Sequence, residues 1–217
     1  WDIKALYPKV LTHRVWGEQA KELFKDAQDI LQDIIKNNRF QAKAITGIWP
    51  AQSDGDDVLV YGNDQGQGKL AVLHFLRQQR EREEKKPALC LADYIAPIES
   101  GRMDYIGGFA VTSGAEVDSY AEFFEKKLDD YTAIMVKAIG DRMAEAMAEM
   151  IHKKMRDIWG YGNAEQRTIE QLIREDYRGV RPAPGYPACP DHTEKAALWQ
   201  LMDVEKRIGV KLTESYA

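Results

Sequence analysis

Hydrophobic residues recur every three or four positions along two long parts of the chain. In residues 17–37 this spacing predicts an amphipathic helix that ends near Asn37. The same spacing extends over residues 118–158, the longest helical pattern in the sequence, and five methionines between 135 and 155 lie within it. Gly140 is the expected point of a break or bend in that helical region.

Two shorter helical patterns follow towards the end of the chain. One begins at Thr168, which precedes a glutamine by three residues, the spacing of a capping box. The other covers residues 192–209, with Asp191 or Thr193 as its N-cap and Gly209 as its C-terminal stop. The second half of the sequence is therefore rich in predicted helix.

Shorter apolar runs in the first half predict strands. Residues 42–51 form an apolar run that is bounded by Pro50, and residues 56–76 hold two such runs around a glycine-rich turn, which indicates a hairpin. The run 109–112 has strand composition, and the pair Gly107-Gly108 before it is expected to break any regular element. A helix, then paired strands, then several helices favours an α+β fold over alternating βαβ units.

Composition limits the class of protein. With 217 residues the chain is long enough for one large domain or two small ones, and its net charge of −5 argues against a general binder of nucleic acid. No apolar run approaches the roughly 18–20 residues that span a bilayer, so no membrane partner is expected. Two cysteines, Cys90 and Cys189, are too few for a disulfide framework and fit a reducing cytoplasm. The start at Trp1 and the end at Ala217 suggest a piece of a longer chain.

Two carboxylates and a histidine on the long helical region are candidate ligands. Glu149 and His152 have the spacing of di-metal bundles, but such a site needs a second copy of the motif, and an exposed helix face is the favoured interpretation. Glu145 and Glu149 are one turn apart; the solvent side of the helix is favoured, and contact with a ligand's ammonium is the alternative. No metal site and no catalytic group are predicted.

The segment 181–192, "RPAPGYPACPDH", concentrates four of the eight prolines. The Arg181 guanidinium suits a carboxylate, Gly185 permits a ligand to approach the backbone, and Tyr186 adds a ring with a polar tip. Because prolines hold these groups before binding, the segment predicts a rigid site for a small ligand with a carboxylate and a ring. A structural loop between two helices is the alternative. Covalent catalysis by Cys189 is not favoured, because no third group orients a base beside it.

The sequence resembles the activation domain of cobalamin-dependent methionine synthase over essentially its whole length, residues 1–217. The segments that carry the resemblance are "RPAPGYPACPDHTEK", "DYIGGFAVTSG", "CLADYIAP", "DDYTAIMVKAIGDRMAEA" and "VEKRIGVKLTES". The resemblance implies a C-shaped α+β domain with a central, bent antiparallel sheet flanked by helices.

The resemblance also implies a function, the binding of S-adenosylmethionine to reactivate the enzyme. The domain would hold this ligand over cobalamin, which another module of the same polypeptide binds, while a flavodoxin-like partner supplies an electron. Cob(II)alamin would thereby be reductively methylated to methylcobalamin. A domain that only docks the flavodoxin-like reductase, without a ligand of its own, is the alternative function.

Site residues follow from the same resemblance. Arg181 would hold the methionyl carboxylate, and Glu145 would lie near the amino group. Ala183, Gly185 and Tyr186 would line the adenosine and methionyl portions. In the family the pocket also uses an aspartate before the position of Trp1 and aromatic residues after the "LTES" segment, so we expect this piece alone to bind S-adenosylmethionine weakly or not at all and to have no activity of its own.

Overall fold

The computed structural model describes residues 6–79, 86–162 and 166–216, which form mixed helices and one four-stranded sheet. The start Trp1 and the end Ala217, on which the expectation of a longer chain rests, lie outside the described residues. The helices and strands, in chain order, are α1 (Gly17–Lys36), β1 (Lys43–Asp54), β2 (Asp57–Tyr61), β3 (Lys69–His74), β4 (Asp104–Thr112), α2 (Glu116–Glu125), α3 (Asp130–Trp159), α4 (Ile169–Ile173), α5 (Lys195–Met202) and α6 (Val204–Ile208).

The strands form an open antiparallel sheet in the order β3-β2-β1-β4. In the β1–β2 ladder Ala51 lies opposite Val60, and in the β2–β3 ladder Val58 lies opposite Leu73. The predicted hairpin over residues 56–76 is therefore confirmed, and so is the α+β fold class. None of the helices in the described ranges is long and apolar enough to cross a membrane.

The described residues form two compact units, each with more contacts within itself than to the other. One unit comprises the described residues up to Lys43 together with Thr112–Ala146, and its core is formed by Ala121, Ala133 and Val136. The other comprises Ala44–Val111 and the described residues from Met147 onward. In this second unit one core cluster surrounds β2 and β3, and another joins β1 and β4 to α5 and α6.

Two strand predictions were wrong at their boundaries. β1 continues through Pro50 to Asp54. Pro50 precedes the first β1–β2 pair, that of Ala51 with Val60, so its missing N–H removes no donor from that ladder. β4 runs through Gly107 and Gly108. A Cβ on Gly107 would lie 2.8 Å from Met155 Cε on α3, so the missing side chain leaves room for that methionine.

The long helical region is two helices rather than one helix bent at Gly140. The break lies between α2 and α3, where Leu128 adopts a positive φ of 59°. Gly140 lies inside α3, and a Cβ there would meet Val117 Cγ1 at 2.7 Å. This glycine therefore serves close packing of α2 against α3, which local sequence does not reveal.

The segments 168–176 and 192–209 contain the predicted helix starts. Thr168 accepts a hydrogen bond from the backbone of Gln171, whose side chain accepts one in return, so the capping box at the start of α4 is confirmed. Asp191 caps the short 3₁₀ turn that leads into α5. The predicted single helix is interrupted at Asp203, which has φ 53°, so α5 and α6 are separate helices.

Candidate functional site

The proline-rich segment 181–192 folds into a tight hydrogen-bonded turn in the second unit. The backbone N–H of Gly185 donates to the carbonyl of Cys189 at 2.7 Å, and that of Cys189 donates to the carbonyl of Tyr186 at 2.9 Å. The N–H of Tyr186 donates to the carbonyl of Ala183 at 3.1 Å. The prolines of the segment have no N–H to donate, so the remaining backbone N–H groups form these bonds within the turn. The turn therefore holds its shape without a helix or strand around it.

Gly185 is the residue that the turn requires at its position. Its φ is +103°, and a Cβ there would lie 2.2 Å from Cε1 of the His192 imidazole. The backbone conformation therefore favours glycine, and any other side chain would also have to displace the His192 imidazole. The glycine allows the imidazole to pack directly against the backbone of the turn.

The far end of the turn is anchored in the core of the second unit. Cys189 is 1% exposed and lies in the cluster that includes Cys90 and Leu73. The carbonyl of Ala188 accepts a hydrogen bond from the N–H of Leu91 at 2.8 Å. One end of the segment is thereby fixed, while Ala183, Gly185 and Tyr186 stay exposed.

Burial also determines the chemistry of Cys189. It raises the pKa of the thiol to about 12, and the nearby negative charges of Glu194 and Asp191 act in the same direction. A thiol with this pKa is not a thiolate nucleophile near neutral pH. The cysteine is a packing residue, in agreement with the sequence analysis.

Arg181 begins the segment and lies among carboxylates of the second unit. Its Nη2 donates to Glu149 Oε1 on α3, and Glu175 Oε1 lies 3.8 Å from the same nitrogen. The side chains of Arg181 and Glu149 are 23% and 33% exposed, so the pair is only partly accessible to water. The Arg181 Nε is buried and has no hydrogen-bond partner among the described residues. The guanidinium thus holds a carboxylate of the protein itself, which shows that its position suits a carboxylate partner.

Tyr177 packs the segment before Arg181 against the last turns of α3. Its ring lies 3.9 Å from the Arg156 guanidinium carbon and meets the His152 ring edge-on at 5.2 Å between centroids. His152 is buried, so the favoured interpretation of an exposed helix face was wrong for this residue. Burial, together with the positive charges of Arg156 and Arg181, lowers the pKa of His152 to about 4. The imidazole is therefore neutral at physiological pH.

The predicted site residues fall in two places. Arg181, Ala183, Gly185 and Tyr186 lie together in one turn, with the ring of Tyr186 63% exposed. Glu145 belongs to the first unit, where its Oε1 accepts from Arg142 Nη2 at 2.7 Å on the exposed face of α3.

Sequence reasoning missed the partners of Arg181. Glu175 and Tyr177 follow α4 and have no spacing that marks them as part of a site, and Glu149 was considered only with respect to its neighbours on the helix. Among the described residues, no group of three or more histidine, cysteine, aspartate or glutamate side chains could hold a metal ion.

Comparisons with known proteins give one family and one solved structure that this chain matches. The family model described as "Vitamin B12 dependent methionine synthase, activation domain" matches residues 1–217. The chain is also similar to a solved structure described as the crystal structure of the MetH reactivation domain bound to AdoHcy, with 48% sequence identity and a TM-score of 0.95. That match covers 100% of this chain and 67% of the other.

Proposed function

Since the chain belongs to the family of vitamin B12-dependent methionine synthase activation domains, we propose that it binds S-adenosylmethionine at the turn that begins with Arg181. The observation that supports this proposal is that Arg181, whose guanidinium holds a carboxylate, begins the hydrogen-bonded turn that also carries the exposed ring of Tyr186. A similar protein was solved with AdoHcy, the product that S-adenosylmethionine leaves after it gives up its methyl group.

Arg181 is proposed to bind the methionyl carboxylate, because a guanidinium offers two parallel donors to the two carboxylate oxygens. Ala183, Gly185 and Tyr186 are proposed to line the adenosine and the methionyl chain. Gly185 is exposed beside the His192 imidazole, and the exposed ring of Tyr186 offers apolar contact. Glu145 remains the proposed partner of the ammonium group, as the family resemblance implies.

The chain's own residues bind and orient; they do not take part in bond making. When bound, S-adenosylmethionine supplies a methyl group from its sulfonium, which together with one electron converts cob(II)alamin to methylcobalamin and leaves AdoHcy. The cobalamin is proposed to be held by another module of the same polypeptide, and the electron to come from a flavodoxin-like donor. We propose the cytoplasm as the location, since Cys90 and Cys189 are free thiols in the core.

Replacement of Arg181 tests the proposal. In the full-length protein, Arg181→Ala should weaken AdoHcy binding about 10- to 100-fold, the equivalent of roughly 1.5–3 kcal/mol for a hydrogen bond to a charged group. Reactivation at limiting S-adenosylmethionine should fall with it, while binding of the reductase stays intact. Arg181→Lys keeps the charge but loses the planar fork and should restore only part of the affinity.

Lys206→Ala is the matched control, because this lysine is 83% exposed and pairs only loosely with Asp203 at 3.8 Å. It removes one positive charge and should change neither binding nor reactivation. Unchanged reactivation in Arg181→Ala would instead support a domain that only docks the reductase.

A further inference from the structure

We propose that Glu149 competes with the ligand's carboxylate for Arg181 and so determines which ligands can open the site. This inference rests on the proposed role of Arg181. The Glu149 carboxylate occupies the guanidinium in the ligand-free protein, and a ligand that carries its own carboxylate displaces it.

The positions of the nitrogen atoms explain why the two carboxylates compete. A guanidinium binds a carboxylate with two parallel bonds either through Nη1 and Nη2 or through Nε and Nη2. Nη2 belongs to both arrangements, and it is the atom that donates to Glu149. Arg181 Nε is buried, so a ligand approaches through the end that includes Nη2.

Charge makes simultaneous binding unfavourable. Glu175 already places a second carboxylate 3.8 Å from Arg181 Nη2. A ligand carboxylate would be a third negative group around one positive charge in a partly buried place, where Coulomb repulsion is stronger than in water. Glu149 is 33% exposed, so its carboxylate can turn into solvent when the ligand replaces it.

Competition of this kind confers selectivity. A ligand with a carboxylate offers Arg181 a new partner and compensates for the lost ion pair. A nucleoside without a carboxylate leaves the pair in place and gains nothing from the guanidinium. If the pair is closed in about nine of ten molecules, the apparent affinity for the carboxylate ligand falls about tenfold.

The test is Glu149→Gln in the full-length protein, with AdoHcy and 5′-methylthioadenosine as probes in equilibrium dialysis. Glutamine keeps the shape of the side chain and removes its charge. AdoHcy should bind about five- to tenfold more tightly, whereas 5′-methylthioadenosine, which lacks the amino-acid group, should bind within twofold of the unmodified protein. In Arg181→Ala the same change at Glu149 should have no effect on AdoHcy.

Glu122→Gln is the control, since it removes one negative charge from an exposed pair with Lys126 on α2; it should change neither affinity. Weaker or unchanged AdoHcy binding in Glu149→Gln overturns the inference and leaves the proposed function intact if Arg181→Ala still weakens binding. Equal tightening of both probes also overturns it, because that would be an effect on the shape of the site. Failure of the unmodified protein to bind AdoHcy overturns both proposals.

If Glu149→Gln does not fold, Glu149→Asp is the second variant, because its shorter side chain withdraws the carboxylate from Arg181. It should tighten AdoHcy binding less strongly than Glu149→Gln, and weaker or unchanged binding would overturn the inference.

Discussion

Replacement of Gly185 by alanine should damage the turn for two separable reasons. The first is backbone conformation, because φ +103° lies outside the small left-handed region near +57° that other residues occasionally adopt. The second is space, since the new methyl group would lie 2.2 Å from Cε1 and 2.6 Å from Nε2 of His192.

The expected cost follows from these two causes. Backbone strain of this kind costs about 1–3 kcal/mol. The steric part is about 1 kcal/mol, because the His192 side chain is exposed and can move away. We expect a total near 3 kcal/mol, which in a chain of 217 residues lowers Tm by roughly 6–12 °C.

Gly55→Ala is the reference for an unhindered positive-φ position, and Gly185→Ala combined with His192→Ala isolates the steric part. Gly55 also has a positive φ, +61°, but nothing lies within 4 Å of its virtual Cβ, so only the backbone cost of about 1 kcal/mol should appear. Urea unfolding measures the free energy of unfolding of Gly185→Ala, of Gly55→Ala and of the double variant Gly185→Ala with His192→Ala. The double variant should recover the steric part alone. A Gly185→Ala cost at or below that of Gly55→Ala would refute the reasoning.

Two titratable groups supply the remaining predictions. Burial holds the pKa of His152 at about 4 in the folded state, against 6.5 when unfolded, so the folded protein favours the neutral ring. The contribution of His152 to the free energy of unfolding should be complete above pH 6.5 and fall by about 3 kcal/mol towards pH 4, and His152→Asn should lose this dependence. Urea unfolding that gives the same pH profile for His152→Asn as for the unmodified protein would contradict the assignment. Because burial raises the pKa of Cys189 to about 12, maleimide at pH 8 should leave this thiol unlabelled by mass spectrometry until the protein is unfolded, and rapid labelling of the native protein would contradict its place in the core.

The elements were predictable from sequence where local signals and tertiary packing agree. The apolar spacing of residues 17–37 predicts α1 almost to the residue, and the capping box at Thr168 identifies the start of α4. The predictions failed where packing overrode local preference. Gly107 and Gly140 are both breakers by composition, yet each lies inside a regular element, where its missing side chain leaves room for a neighbouring residue.

The rigidity of the turn and the carboxylate partner of Arg181 were predictable from composition, but the residue that supplies the carboxylate was not. Prolines around Gly185 and Tyr186 indicate rigidity, and the guanidinium of Arg181 indicates a carboxylate, whatever the fold. Which carboxylate meets Arg181 depends on how the segment after α4 packs on α3, and Tyr177 fixes that packing through Arg156 and His152. The partner is Glu149, 32 residues away in sequence, so no local pattern joins the two. Arg181 is therefore held in a charge pair with Glu149. Under the role proposed for Arg181, the affinity for a ligand is set by the difference between two carboxylates and not by Arg181 alone.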